Sequence, residues 1–113
     1  MAKYLLLLHL PKDVDAELSP AEMQAIIQKY SNWRERLSRE GRFLGGHKLG
    51  ADRRVLRRDN GRVSVTDGPY GEAKEVLAGY FLVEADSYEH AVALATAGPH
   101  LDRGTVEIRE VDH

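Results

Sequence analysis

A long amphipathic helix, with recognisable signals at both ends, constrains the fold of this chain more than any other segment. Ser19 and Glu22 have the spacing of a capping box, and Pro20 takes the first helical position, where a missing amide hydrogen costs nothing. Gly41 suits the left-handed residue that often ends a helix. Between these signals, apolar residues recur every three or four positions and predict one buried helix face: Met23, Ile26, Ile27, Tyr30, Trp33 and Leu37.

Short β-prone segments surround this helix. The run from Tyr4 to Leu8 is apolar at every position, as in a strand buried on both faces, and Pro11 ends it. Asn60-Gly61 lies between two short β-prone runs and predicts a hairpin. The other predicted strands are 42–49, interrupted at a glycine pair, then 54–58 and 62–66 of the hairpin, 78–85 and 105–111.

A second helix follows the strand at 78–85. Asp86-Ser87-Tyr88-Glu89 reads as another capping box with Asp86 as the cap, and Gly98-Pro99 ends the helix. Without the hairpin, the order of elements is βαββαβ, so we expect one α+β domain over residues 1–113. The predicted fold is ferredoxin-like, with an antiparallel sheet and an inserted β-hairpin. Two helices on one face leave the other sheet face uncovered, and a second copy of the chain is the simplest cover.

Composition narrows the function classes. The 113 residues contain no cysteine, which excludes disulfides and thiolate chemistry. The net charge of −2 argues against bulk electrostatic binding to nucleic acid or anionic lipid. The apolar run at 4–8 is too short to span a membrane and lacks the flanks of a signal peptide. We therefore expect a cytoplasmic protein that has no membrane partner. Nucleic acid is not an expected partner either.

The densest group of ionisable residues lies at 65–75, in the sequence VTDGPYGEAKE. Polar groups crowded beside a buried strand are typical of clefts, so function is expected here. This stretch resembles the signature of the DGPF branch of the YCII-related family, with Tyr70 in place of the usual Phe. The resemblance extends to the 4–8 strand, the 18–23 helix start, the Gly45-Gly46 pair, 79–85 and 104–111.

The resemblance implies a dimeric α+β barrel, in which two ferredoxin-like sheets pack face to face. Enzymes of that superfamily act on small aromatic-derived acids in a cleft between sheet and helices. YCII proteins outside this branch are thought to use a histidine on the first helix paired with an aspartate, but here 31–35 reads SNWRE. DGPF-type proteins also tend to be encoded beside extracytoplasmic-function sigma factors, which suggests a regulatory role.

Asp67, His47 and Glu72 are the candidate catalytic residues. Asp67 either satisfies turn amides before Gly68-Pro69 or acts as a general base in a cleft. His47 follows two glycines and could serve as an acid, although lone histidines are more often structural. Glu72, Lys74 and Glu75 form either a solvated loop or short helical turn, or a site in which Glu72 is an acid or base.

The candidate substrate-binding residues are a cation, three aromatic residues and a histidine: Lys74, Tyr70, Tyr80, Trp33 and His9. Lys74 would anchor an acidic group, and the aromatic side chains could wall a pocket for a planar ligand, although Trp33 and Tyr80 equally suit a core. His9 ends the first strand and could line the same cleft. No histidine pair has the helical spacing of metal ligands, so neither a metal nor a cofactor is expected.

Two hypotheses follow for function. In the first, a homodimer or higher oligomer binds a small acidic or lactone-like molecule and carries out cofactor-free isomerisation or elimination. In the second, the protein is a non-catalytic module that binds a partner, such as a sigma factor, through the arginine-rich hairpin or the 67–75 loop. The arginines themselves could equally form a charged edge that blocks aggregation of the sheet.

Overall fold

The elements of the chain form one four-stranded antiparallel sheet and a separate hairpin, in a computed structural model that describes residues 2–67 and 74–112. The elements are β1 (Ala2–Pro11), α1 (Pro20–Arg39), β2 (Phe43–Lys48), β3 (Val55–Asp59), β4 (Arg62–Thr66), β5 (Glu75–Ala85), α2 (Tyr88–Thr96) and β6 (Thr105–Glu110), with a short 3-10 turn at His100–Asp102. The sheet order β2-β5-β1-β6 is the ferredoxin-like order once β3 and β4 are set aside. This confirms the predicted α+β fold.

Side chains of β1 alternate between two environments. Leu6 and Leu8 are buried beneath the helices, whereas Leu5 and Leu7 are only half-buried on the opposite face. The prediction of a strand buried on both faces is therefore not met within one chain. Successive side chains of a strand point to opposite faces of the sheet, and only one face of this sheet is covered by helices.

Trp33 is at the centre of the core. Its ring lies 4.7 Å from the ring of Phe81, and its indole nitrogen donates to the carbonyl of Leu94 at 3.1 Å. The bond satisfies the one polar atom of a side chain that is 1% exposed. Phe43 meets Phe81 edge-on at 5.1 Å and extends the cluster towards β2.

Helix α1 begins and ends as predicted. The hydroxyl of Ser19 accepts from the amide of Glu22 at 3.1 Å, and the Glu22 carboxylate accepts from the amide of Ser19 at 3.0 Å. At the other end Gly41 has a φ of 70°, and the amide of Arg42 donates to the carbonyl of Leu37 at 2.8 Å. This is a Schellman motif, which turns the chain into β2.

Helix α2 has a different cap from the predicted one. Ser87, not Asp86, is the N-cap, and its hydroxyl accepts from the amide of His90 at 3.1 Å. Asp86 lies one residue earlier, where its carboxylate contacts Arg42 at 3.3 Å. Both residues can cap, but the Asp86 carboxylate is engaged by Arg42, which is 44 residues away in the sequence, and also lies 3.5 Å from the ring of His90.

Strand β5 starts earlier than predicted. Glu75 was expected in a loop or helical turn, but it pairs with Pro11 at the end of β1. The reason is that β1 itself continues to Pro11, so its antiparallel neighbour has partners as far as residue 75. A register shift between Leu8 and His9 accommodates this extension.

The inserted hairpin is confirmed. Asn60 and Gly61 both have positive φ values, 51° and 77°, as a two-residue type I′ turn requires. Strands β3 and β4 pair only with each other, from Val55 opposite Thr66 to Asp59 opposite Arg62.

No helix in the described part of the chain is long and apolar enough to cross a membrane.

Candidate ligand-binding cleft

A cleft of about 230 Å³ opens between helix α1 and the sheet. It explains why the apolar stripe of α1 is only partly buried: Trp33 and Leu37 enter the core, whereas Ile27 stays 44% exposed at the cleft. The exposed wall surface is mainly apolar, and the polar or charged lining residues are Asp15, Tyr30, Ser31, Arg34, His47, Lys48, His100 and Arg103. The lining residues with apolar side chains are Leu8, Leu10, Met23, Ile26, Ile27, Ala78 and Phe81.

A chain of hydrogen bonds forms one end of the cleft. Arg103 pairs with Asp15 and also donates to the phenol oxygen of Tyr30 at 3.3 Å. The phenol lies 2.7 Å from Nδ1 of His100, and Nε2 of His100 lies 2.7 Å from the main-chain carbonyl of His9. The chain thus runs from a partly buried ion pair to the backbone of the central strand β1.

The carbonyl at the end of this chain fixes the direction of its hydrogen bonds. A carbonyl oxygen only accepts, so Nε2 of His100 must carry a hydrogen and donate to His9. In neutral imidazole, Nδ1 is then an acceptor, and the phenol of Tyr30 donates to it. The Tyr30 oxygen can accept from Arg103 at the same time, since a phenol oxygen has two lone pairs.

Burial keeps both members of the central pair neutral. Burial lowers the pKa of His100, which is 1% exposed, and the nearby Arg103 lowers it further. Burial also raises the pKa of Tyr30 despite the opposing effect of Arg103. Burial opposes the charge of Arg103, yet the hydrogen bonds to Tyr30 and Asp15 outweigh it and raise the pKa of this guanidinium.

Gly104 makes the last bond of the chain sterically feasible. A Cβ atom at this position would collide with the carbonyl of His9, the acceptor used by His100. The Gly104 amide donates to the carbonyl of His100 at 2.9 Å, which holds the 3-10 turn against β1. Glycine is therefore required here by close backbone approach.

Two cations lie on the β2 side of the cleft. Arg34, one turn after Tyr30 on α1, stands over the ring of Phe43 at 4.9 Å, and Lys48 ends β2. Neither side chain forms an ion pair with any carboxylate among residues 2–67 and 74–112. Unpaired cations at the rim of an apolar cleft are suited to an anionic ligand.

The sequence model of the YCII-related domain family matches residues 3–113, essentially the whole chain. The chain belongs to the YCII-related family. A search of curated proteins gives no match. The family assignment confirms the resemblance seen in the sequence and leaves the activity to be argued from the site of this YCII-related chain.

The predicted catalytic residues of this YCII-related protein occupy separate places. His47 is among the residues that line the cleft, but it pairs with Tyr80 in the sheet, and its ring lies 5.9 Å from the Tyr80 ring on the face opposite the helices. Asp67 follows β4, where its side chain is 80% exposed and lies 3.7 Å from Arg54, and it is absent from the described cleft lining. Glu72 lies outside the described residues, as does Tyr70.

The predicted substrate-binding residues are also dispersed. Lys74 is exposed, and its carbonyl accepts from the amide of Lys12 at 3.0 Å. Trp33 is in the core, which was the structural alternative for it. Tyr80 and His9 point to the sheet face opposite the helices, where His9 lies 3.4 Å from Glu107. Of the predicted residues, only His47 is in the described cleft lining, and its ring faces Tyr80.

Sequence patterns missed the residues that do converge. Tyr30 was counted as one of an apolar stripe, and His100 followed Gly98-Pro99 with no accompanying motif. The contacts of Tyr30 with His100 and Arg103 join residues 70 and 73 positions apart. The one available signal was that a tyrosine in an apolar stripe needs a partner for its hydroxyl.

No grouping of three or more His, Asp or Glu side chains with metal-binding geometry occurs in the described ranges 2–67 and 74–112. The same residues leave no buried side-chain nitrogen or oxygen without a hydrogen-bond partner. The buried polar groups at this end of the cleft are thus paired within the protein.

Proposed function

We propose that this YCII-related protein binds a small organic acid with an apolar body in the cleft between α1 and the sheet. The proposal rests on one arrangement: apolar walls with a tyrosine–histidine pair at one side and the unpaired cations Arg34 and Lys48 at the other. An acid of this kind would place its carboxylate at the cations and its apolar part against the walls.

The size of the cleft limits the ligand. About 230 Å³ is below the roughly 300–1,000 Å³ of pockets that hold drug-sized molecules. A ligand of about ten heavy atoms is therefore favoured, and a single ring with a short acidic side chain fits that description. A lactone-like molecule of similar size would use the same walls but would gain less from Arg34 and Lys48.

Isothermal titration with phenylacetate, phenylpyruvate and the neutral analogue phenylacetamide tests this proposal. We expect both acids to bind and the amide to bind more weakly. Arg34→Gln should weaken binding of the acids by about tenfold, which corresponds to about 1.4 kcal/mol. Arg39→Gln is the matched control, since Arg39 lies on the same helix, away from the cleft, and pairs with Glu35.

Two results would count against an acid-binding cleft. The first is equal affinity for phenylacetate and phenylacetamide, which would mean that charge is not recognised. The second is equal loss in Arg34→Gln and Arg39→Gln, which would indicate a nonspecific electrostatic effect.

The bound acid would undergo cofactor-free proton transfer, leading to isomerisation or elimination. An apolar-walled cleft with hydrogen-bonded acid–base groups and nearby cations supports this class of chemistry. The roles predicted for Asp67 as base, for Lys74 as anchor and for His47 and Glu72 as further acid or base groups stay predictions.

The uncovered sheet face supports a homodimer as part of this proposal. Leu5 pairs with Leu82 and Leu7 with Tyr80, which places four large side chains together on the face opposite the helices. A two-fold partner would cover them, as in a dimeric α+β barrel. Light scattering should give a dimer for the wild type and a monomer for Leu7→Glu.

Leu56→Glu is the control for the dimer, because Leu56 is a 65% exposed leucine on the hairpin. It should leave the mass unchanged. A monomeric wild type would overturn the dimer, and so would a Leu7→Glu variant that stays dimeric while remaining folded by circular dichroism.

The hairpin supports a second candidate function, binding of an acidic partner protein such as an extracytoplasmic-function sigma factor. One hairpin face carries the exposed apolar residues Leu56, Val63 and Val65 together with Arg58. Such a mixed basic and apolar surface suits a protein partner. Arg57→Glu combined with Arg58→Glu should abolish salt-sensitive binding of a purified sigma factor of this class, whereas Arg39→Glu should not.

A further inference from the structure

We propose that Tyr30 is the proton-transferring group of the cleft and that His100 is the buried base that stores its proton. This inference rests on the proposed binding of an organic acid and names the group that would act on it. The substrate class is an acid with a removable C–H hydrogen next to a carbonyl group.

Access separates the roles of the two residues. His100 is among the cleft-lining residues but is only 1% exposed, so a ligand reaches little of its ring directly. Tyr30 is half-buried, lines the cleft and stands 2.7 Å from Nδ1 of His100. The phenol is therefore the reachable end of the pair, and the imidazole communicates with the ligand through it.

The directions of the hydrogen bonds permit a concerted transfer of two protons, one to Tyr30 and one from Tyr30 to His100. The substrate C–H hydrogen passes as a proton to the phenol oxygen while the original phenol proton passes to Nδ1 of His100. The products are a substrate enolate and an imidazolium whose Nε2–H still donates to His9. Return of a proton to another carbon completes an isomerisation, and loss of a leaving group completes an elimination.

Polar contacts lie beside both charges formed, and they offset part of the cost that burial and Arg103 place on the imidazolium. The guanidinium of Arg103 donates a hydrogen bond to the Tyr30 oxygen and can keep it during the transfer. The carboxylate of Asp15 balances the charge of Arg103. The enolate and its carboxylate would face Arg34 and Lys48 on the β2 side. The imidazolium keeps the His9 carbonyl as acceptor, which is a favourable partner for a cation.

Proton exchange measured by NMR tests the relay. The probe is phenylpyruvate, dissolved in deuterium oxide. The benzylic hydrogens of phenylpyruvate are replaced by deuterium when its enolate forms and is protonated again by solvent. We expect the wild type to accelerate exchange above the buffer rate. Tyr30→Phe and His100→Gln should each bind the probe and lose this acceleration by about 100-fold or more, as expected for removal of an acid–base group.

His100→Gln separates proton storage from structure. Glutamine can still donate to His9 and accept from Tyr30, but it takes up no proton. Matched controls are Tyr88→Phe and His90→Gln, whose side chains bond the amides of Glu110 and Asp86 away from the described cleft lining. Both should exchange at the wild-type rate.

The outcomes distinguish the relay from the binding proposal. A wild type that does not bind phenylpyruvate overturns acid binding and the relay with it. A wild type that binds the probe without accelerating exchange overturns the relay alone. Full exchange in Tyr30→Phe or His100→Gln also overturns the relay, and loss of exchange in Asp67→Asn with full exchange in Tyr30→Phe would assign the base to Asp67.

Discussion

Gly98 packs directly against the indole of Trp33. A Cβ atom at position 98 would overlap the ring atoms, including Cζ2 at 2.8 Å. The indole cannot retreat easily, because its nitrogen is bonded to Leu94 and its ring is packed on Phe81. The turn after α2 therefore packs against the centre of the core.

We predict that Gly98→Ala lowers the free energy of unfolding by about 2 kcal/mol, as expected for overpacking. Urea unfolding followed by near-ultraviolet circular dichroism is the measurement, since Trp33 is the single tryptophan of the chain. Gly45→Ala is the control, because a Cβ atom there meets nothing within 4 Å. Equal stability of the two variants would contradict the packing described.

Removal of the α1 cap should cost a predictable amount. Ser19→Ala deletes the acceptor for the Glu22 amide, so we expect a loss of about 1 kcal/mol in the free energy of unfolding. Ser38→Ala, near the other end of the same helix, should show no loss because alanine favours helix. Thermal unfolding of both variants checks this, and a similar loss in both would argue against the capping box.

Truncation of the Tyr30 hydroxyl should destabilise the fold measurably. Tyr30→Phe leaves Nδ1 of His100 without a donor in a buried site, which costs about 1–3 kcal/mol. Tyr88→Phe removes a hydroxyl from a tyrosine that is 46% exposed, where water can replace the lost partner, and should cost less. Chemical denaturation of both variants makes the comparison, and the reverse order would refute the buried chain.

Stability should fall in mildly acidic solution because of His100. Its folded pKa is lower than the ordinary value of about 6.5, so the unfolded chain takes up a proton first as the pH drops. The contribution is complete above about pH 6.5 and is lost as the pH falls from there through the folded pKa. The charged and titratable groups around this ring are Tyr30, Arg103 and His9.

Urea unfolding at about pH 7.5 and about pH 5.5 measures this effect. The wild type should lose more stability between these conditions than His100→Gln. Identical losses in the wild type and His100→Gln would assign the pH dependence to other groups.

Local signals in the sequence gave a sound account of the elements. The Ser19–Glu22 box and Gly41 predicted both ends of α1, and Asn60-Gly61 predicted the hairpin. Each of these depends on residues within a few positions of one another. Where two neighbours compete, as Asp86 and Ser87 do for the α2 cap, the deciding contact came from Arg42, which is 44 residues away from Asp86.

The sequence by itself therefore determined the family, the order of the elements and the ferredoxin-like fold, because caps, turns and apolar periodicity act over short distances. Only the tertiary structure decided that Tyr30, His100 and Arg103 meet beside an apolar cleft. Their hydrogen bonds join residues that are 70 or more positions apart in the sequence. The last acceptor in the chain of bonds is a main-chain carbonyl of β1. No local pattern records such a meeting, since it is created when the turn after α2 docks on β1.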